Sequence, residues 1–287
     1  MLQELDFKKL KLPIEPRVMA AIMNLNDDTD MSFTELDRLI KADQNVSTLI
    51  LKAANSPLYS RGGQIKSLQQ AIALLGFRVV RALATVATSQ SLFAAGNYAR
   101  FKRLIWQHSV VTGVISRHIA ARLGDKDRQE EVFVAGLLHD MGKLVLNAHS
   151  REKFIQAINI AQTENVSFVE AENRVFGMNH LEVGQKAVEE WNLPTMYRAV
   201  VSCHRDLHDV DMADVPEEER RLLYTVSYAN YIAKKNGFGH YVPSDDRDAE
   251  YLADALGLSD EDKEYFATEY PPTIEQDEFY KFFVALA

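Results

Sequence analysis

Apolar residues recur at helical spacing along almost the whole of this chain, and no segment alternates apolar with polar residues as a half-buried strand would. That one feature restricts the fold to packed helices. Leu36, Leu39 and Ile40 share one helical face, Val46, Leu49, Ile50 and Ala53 a second, and Leu68, Ala71, Ile72 and Leu75 a third. Punctuation agrees with period. Ser32-Phe33-Thr34-Glu35 reads as a capping box stapled by Met31 and Leu36. A helix over 44–54 is predicted to stop at Asn55-Ser56-Pro57, because proline disfavours helical geometry in the residue before it. Ser67 with Gln70 opens the next helix and Gly76 stops it. The apolar or small-residue stretch 77–93 is expected to be buried on most faces.

Longer helices are predicted over 98–123 and 127–147. Further caps are read at Ser167 with Glu170 and at Asn179 with Glu182, and Pro194 suits a first helical turn. A helix over 220–235 ends at Gly237-Phe238-Gly239, and short helices follow at 248–256, 259–268 and 274–286. No fixed-period repeat or low-complexity tract interrupts the pattern. The expected architecture is an all-α helical bundle.

Composition narrows the function classes. With 32 Lys+Arg against 41 Asp+Glu the net charge is −9, which argues against general nucleic-acid binding. A single cysteine, Cys203, excludes an intramolecular disulfide framework and fits a reducing compartment. The start, Met1-Leu2-Gln3-Glu4-Leu5-Asp6, lacks the basic and apolar runs of a signal peptide. No stretch approaches the ~20 apolar residues of a membrane span. A cytoplasmic protein without membrane association is the expectation.

Chemistry concentrates in the second half. His139-Asp140 directly follows the apolar run 132–138 and precedes Met141-Gly142-Lys143. Neighbours on an ideal helix point ~100° apart, so this pair converges only on a centre lying in the arc between them. Imidazole nitrogen and carboxylate oxygen suit Fe, Mn or Zn. His108 faces inward with Ile105, Thr112 and Ile115; His180 opens a helix; His204 ends the apolar segment 196–203. Several buried imidazoles without partners are costly, and a shared divalent metal is the economical explanation. The rival is that each ring is satisfied separately. His118, His149, His208 and His240 sit among charged or loop residues and are read as solvated. Cys203, beside His204, is read as a buried structural cysteine rather than a ligand.

The order His108, His139-Asp140, His180, His204 resembles the HD superfamily of metal-dependent phosphohydrolases. His139-Asp140-Met141-Gly142-Lys143 is similar to the HD-Gly-Lys signature of the HD-GYP cyclic-dinucleotide phosphodiesterases. The segment 226–233 resembles the helix that carries the superfamily's last aspartate, and puts Asn230, a neutral and weak ligand, in that place. Four ordered motifs of the first half resemble HDOD domains: Leu12-Pro13-Ile14-Glu15-Pro16, then Leu39-Ile40-Lys41-Ala42-Asp43-Gln44, then Leu51-Lys52-Ala53-Ala54-Asn55-Ser56-Pro57, then residues 67–76.

The resemblance implies N-terminal HDOD-type helices (1–97) packed on an HD-like helical core (98–240), with an acidic helical extension (241–287). It implies one or two divalent ions held by His108, His139, Asp140, His180 and His204, with Asn230 as a weak further ligand. Two functions follow from it. One is a bacterial regulatory module binding a signalling protein or small nucleotide. The other is a metal-dependent phosphohydrolase in which Asp140 and Lys143 are catalytic, Lys143 serving as a mobile phosphate contact.

Overall fold

The periodic apolar faces become helices in two packed lobes. The computed structural model describes residues 5, 7, 16–25, 30–42, 44–59, 64–94, 102–205, 207 and 210–285. Among these no strand occurs. The motif residues Leu12 to Glu15, Asp43, residues 98–101 and His208 lie outside them.

The N-terminal lobe comprises α1 (Pro16–Met23), α2 (Asp30–Ala42), α3 (Gln44–Ala54), α4 (Leu68–Leu75) and α5 (Phe77–Ala94). Helix α3 has the predicted span, and Ser67 and Gln70 form a complete capping box at the start of α4. One cap differs from expectation. Helix α2 already runs at Asp30, which puts Ser32 inside it, and the Glu35 carboxylate turns to Arg38. Asn55 ties α3 to the following chain, its amide bonding Leu51 O and Ile65 O at 2.8 and 2.9 Å. These residues close turns, the structural role expected of them.

Helix α5 carries the lobe onto the second one, where it packs against α7 (Gln129–Leu138). The second lobe opens with a π-helical turn, Lys102–Gln107, leading into α6 (His108–Arg122). Helices α6 and α7 cross at van der Waals limit: a Cβ on Gly136 would lie 2.6 Å from Gly113 Cα. Then come α8 (Met141–His149), α9 (Arg151–Glu164), α10 (Phe168–Phe176), α11 (His180–Glu190), α12 (Arg198–Cys203) and α13 (Glu217–Lys235). Caps at Ser167 and Asn179 start α10 and α11 as predicted.

The predicted single helix over 127–147 is instead broken. A 3-10 turn, Lys126–Arg128, precedes α7, and the chain bends at His139 and Asp140 before α8 begins. Helix α7 is buried on every side from Val132 to Leu138, so its end is fixed by the core around it.

The acidic tail packs on the second lobe. It forms α14 (Ala249–Ala255), α15 (Asp260–Glu264) and α16 (Glu278–Val284). Phe279 and Phe283 each place their rings 4.9 Å from Phe133 of α7, and Arg122 of α6 reaches Asp262 at 2.6 Å. No single helix is long and apolar enough to cross a membrane among the described residues.

Candidate metal centre

The break between α7 and α8 lets two neighbouring side chains face one point. His139 remains helical (φ −51°, ψ −36°) while Asp140 leaves the helix (φ −97°, ψ 17°). The arc argument from an ideal helix is therefore replaced by a bend at the doublet itself. Around Asp140 gather His108 from the first turn of α6, His180 from the first turn of α11 and His204 from the end of α12. None of the five residues is more than 3% exposed.

The carboxylate divides the rings into two pairs. Its Oδ2 lies 3.6 Å from His108 Nε2 and 3.4 Å from His139 Nε2. Its Oδ1 lies 3.4 Å from His180 Nε2 and 3.5 Å from His204 Nε2. His108, His139 and Asp140 form one group able to hold a metal ion, and Asp140, His180 and His204 a second. The sequence-predicted residues thus meet around a single carboxylate that both groups share.

Each imidazole is locked from behind. His108 Nδ1 donates to Phe238 O at 2.6 Å, His139 Nδ1 to Gly136 O at 2.6 Å, and His204 Nδ1 to Val200 O at 2.8 Å. His180 Nδ1 donates to Glu172 Oε2 at 2.5 Å, and the same oxygen accepts the His180 backbone N–H at 2.8 Å. With Nδ1 carrying the proton, every Nε2 presents a lone pair inward. Burial drives the rings toward this neutral form: His139 is held down to about 3 and His204 to about 4, with His108 and His180 well below the ordinary histidine value.

Those lone pairs have nothing satisfactory to meet. His108 Nε2 and His139 Nε2 stand 3.1 Å apart, acceptor against acceptor. His180 Nε2 and Asp140 Oδ1 have no hydrogen-bond partner among the described residues. Protonating all four rings would instead crowd four cations round one carboxylate in a low-dielectric interior. A divalent cation in each group removes both problems, and ligating histidines usually donate their other ring N–H to a backbone carbonyl or a carboxylate, as these rings do. The residues present fit the metal.

Asp140 is itself held ionised. Burial opposes its charge, but the Lys143 ammonium beside it outweighs burial and keeps the carboxyl well below the usual carboxylate range. Lys143 departs from expectation. It is buried, its Nζ lies 2.6 Å from Asp140 Oδ2, and its ammonium sits 4.4 Å above the Phe168 ring. One turn along α8 from the carboxylate, it neutralises a buried charge and is neither solvated nor a mobile point charge.

Asn230 of α13 is buried, and its Oδ1 is without a hydrogen-bond partner among the described residues. It lines a cavity of about 20 Å3 together with His204, Arg205, Ser227 and Lys234. That space holds about one water molecule.

The other histidines divide. His149 is exposed, as expected. His118 is half-buried and bonds Asp277 Oδ2 at 2.9 Å, and half-buried His240 donates Nε2–H to Val166 O at 2.8 Å. Both are therefore structural rather than solvated, because the tail folds back over their elements. Cys203 is half-buried beside Ser202 Oγ and joins neither group.

Sequence reasoning missed Glu172 and Gly142. Glu172 is fully buried, and burial pushes its carboxyl up to about 8. It sits eight residues before His180, with nothing in the local pattern to tie the two together. Gly142 is where α8 touches α11: a Cβ there would fall 1.9 Å from His180 O. The glycine of the Asp-x-Gly-Lys run is thus a packing requirement that sets the distance from Asp140 to His180.

An HDOD domain family model matches residues 12–207. The crystal structure of an HDOD domain protein with unknown function from Geobacter sulfurreducens is 26% identical and covers 100% of this chain and 95% of that one, with a TM-score of 0.79. A candidate phosphohydrolase from Shewanella amazonensis SB2B shares the fold at 18% identity, TM-score 0.69, over 100% and 97% of the two chains. An uncharacterized protein of Treponema pallidum (strain Nichols) is 24% identical over 76% of this chain. The chain spans 41% of the length of that curated relative. The all-helical two-lobed architecture and the match over well over half its length make this chain a member of the HDOD domain family.

Proposed function

We propose that the protein is an HDOD-type regulatory module built round a retained dinuclear metal centre, acting in the cytoplasm through a partner protein or small nucleotide. One observation carries the metal assignment: four imidazole Nε2 atoms face the two oxygens of one buried carboxylate, while all four Nδ1 atoms are anchored. In this reading His108, His139 and Asp140 would hold one ion, and Asp140, His180 and His204 would hold the other. Fe, Mn and Zn all suit the nitrogen-rich set. Bound there, such ions lower the pKa of a coordinated water and polarise a phosphoryl oxygen.

Two features favour regulation over turnover. Asn230 supplies no negative charge where the HD superfamily has an aspartate. The space beside His204 is about 20 Å3, far below the ~300 Å3 of an ordinary small-molecule site. The carboxylate common to both groups favours the second reading, a metal-dependent phosphohydrolase. There Asp140 would position the ions, and Lys143 would balance the carboxylate rather than reach for phosphate.

Metal analysis of purified protein, with a bis-phosphate ester assay, separates these. Near-stoichiometric metal, lost in His139→Ala, with no ester cleavage supports the regulatory centre. Metal-dependent cleavage, also lost in His139→Ala, moves the assignment to the hydrolase. Folded wild-type protein that takes up no metal removes both.

A further inference from the structure

The family match ends at residue 207, yet the centre is completed by chain beyond it. Phe238 O is the acceptor that fixes His108, at 2.6 Å from Nδ1. Gly239 follows at φ +135°, a conformation that side chains rarely adopt, and a Cβ on it would lie 2.8 Å from the same Nδ1. Tyr280 OH accepts from Gln107 Nε2 at 2.8 Å, one residue before His108, and the Phe238 ring meets Tyr280 edge-on at 6.2 Å.

The same stretch grips the other ligand-bearing elements. Arg205, next to His204, donates Nη2–H to Asp245 Oδ1 at 2.6 Å, and Leu207 N donates to Asp248 Oδ2 at 3.0 Å. Lys234 of α13 reaches the same Asp245 oxygen at 3.5 Å. His240 donates to Val166 O, immediately before the cap of α10, and α10 carries Glu172 behind His180. Segment 238–248 therefore contacts the elements of three of the four histidines: directly at His108, through the adjacent Arg205 at His204, and through α10 at His180.

We infer that segment 238–248 is the closing wall of the metal centre, with Phe238, Gly239 and Asp245 as positioning residues, so that metal loading and seating of this segment form one coupled equilibrium. The inference rests on the metal reading above. Linkage makes the coupling reciprocal: whatever factor the seated segment adds to metal affinity, bound metal returns to the seating of the segment. The centre would then report its occupancy through the C-terminal extension, by order rather than by chemistry.

Hydrogen exchange on the full chain, metal-free and loaded with Zn or Mn, tests this without any substitution. Protection of 238–248 is expected to rise about tenfold or more on loading, while α3 stays unchanged. Gly239→Ala and Asp245→Asn should weaken the metal dissociation constant about 10- to 100-fold, the range for losing a group that holds a ligand in place, with helical content retained. Lys281→Ala, on the exposed face of the same extension, should leave it at the wild-type value. If Gly239→Ala does not fold, Asp245→Asn and the wild-type exchange comparison still decide. Metal binding with unchanged protection at 238–248, or wild-type affinity in Asp245→Asn, overturns the inference alone. A wild-type chain that takes up no metal overturns the centre and the inference together.

Discussion

Two polar regions lie at opposite ends of α7. At its start a cleft of about 290 Å3 is lined by Arg78, Arg81, Arg128, Glu130, Glu131 and Tyr197, between the two lobes. Past its end sits the histidine cluster, beside a cavity of about 20 Å3. At the cleft Arg128 pairs with Glu131, and Arg78 donates to Asp127 O at 2.9 Å. The cluster is small, closed and unsatisfied toward its centre. Lone pairs converging on one buried point, not volume, mark the place where this fold expects a ligand.

The comparison breaks first on metal content. His139→Ala is expected to cost more than about 100-fold in metal affinity, beyond the loss of a group that only orients a ligand. Glu131→Ala, in the cleft, should leave metal content unchanged. Inductively coupled plasma analysis reads both, and equal metal in the two variants would erase the distinction.

Acid sharpens it next. Burial holds His139 down to about 3 and His204 to about 4, below the ordinary histidine value of about 6.5. As pH falls from about 6.5 toward 4, the unfolded chain binds protons that the folded metal-free chain refuses, so stability is lost on acidification. Each such histidine contributes up to about 1.4 kcal/mol per pH unit. Urea melts of metal-free protein should show the decline, and His204→Gln should make it shallower. A flat profile over that window would contradict neutral, buried rings.

Packing comes third. Gly142→Ala drives a methyl into His180 O, and an overpacked contact costs about 1–3 kcal/mol. Thermal melting should show that loss, together with weakened metal binding. Arg128→Ala in the cleft removes a half-exposed pair and should cost no more than about 1 kcal/mol.

Glu172→Gln is the finest probe. It removes the titratable carboxyl behind His180 while keeping shape, and should weaken metal affinity about 10- to 100-fold with little change in metal-free stability. An unchanged titration would show that Glu172 merely fills space.

Much of this was legible in residue order. The span of α3, the box at Ser67 and Gln70 and the caps at Ser167 and Asn179 are local signals, set by side chains within one turn of the backbone they satisfy. The five residues of the cluster were legible as imidazoles and a carboxylate in apolar settings. What escaped was made by long-range contact. The bend at His139 and Asp140 comes from the core clamping α7, not from a breaker residue. Glu172, the Gly142 crossing and the Phe238 carbonyl act on histidines carried by other elements, and a backbone carbonyl has no side-chain signature at all. Sequence context makes His118 and His240 look solvated for the same reason: their partners, Asp277 and Val166, lie 159 and 74 residues away.

Anomalous diffraction at the edge of the metal found in the purified protein tests the central claim most directly. The account predicts two peaks, one between His108, His139 and Asp140 and one between Asp140, His180 and His204. Continuous density free of any anomalous peak there, in protein crystallised with Zn or Mn present, would contradict it.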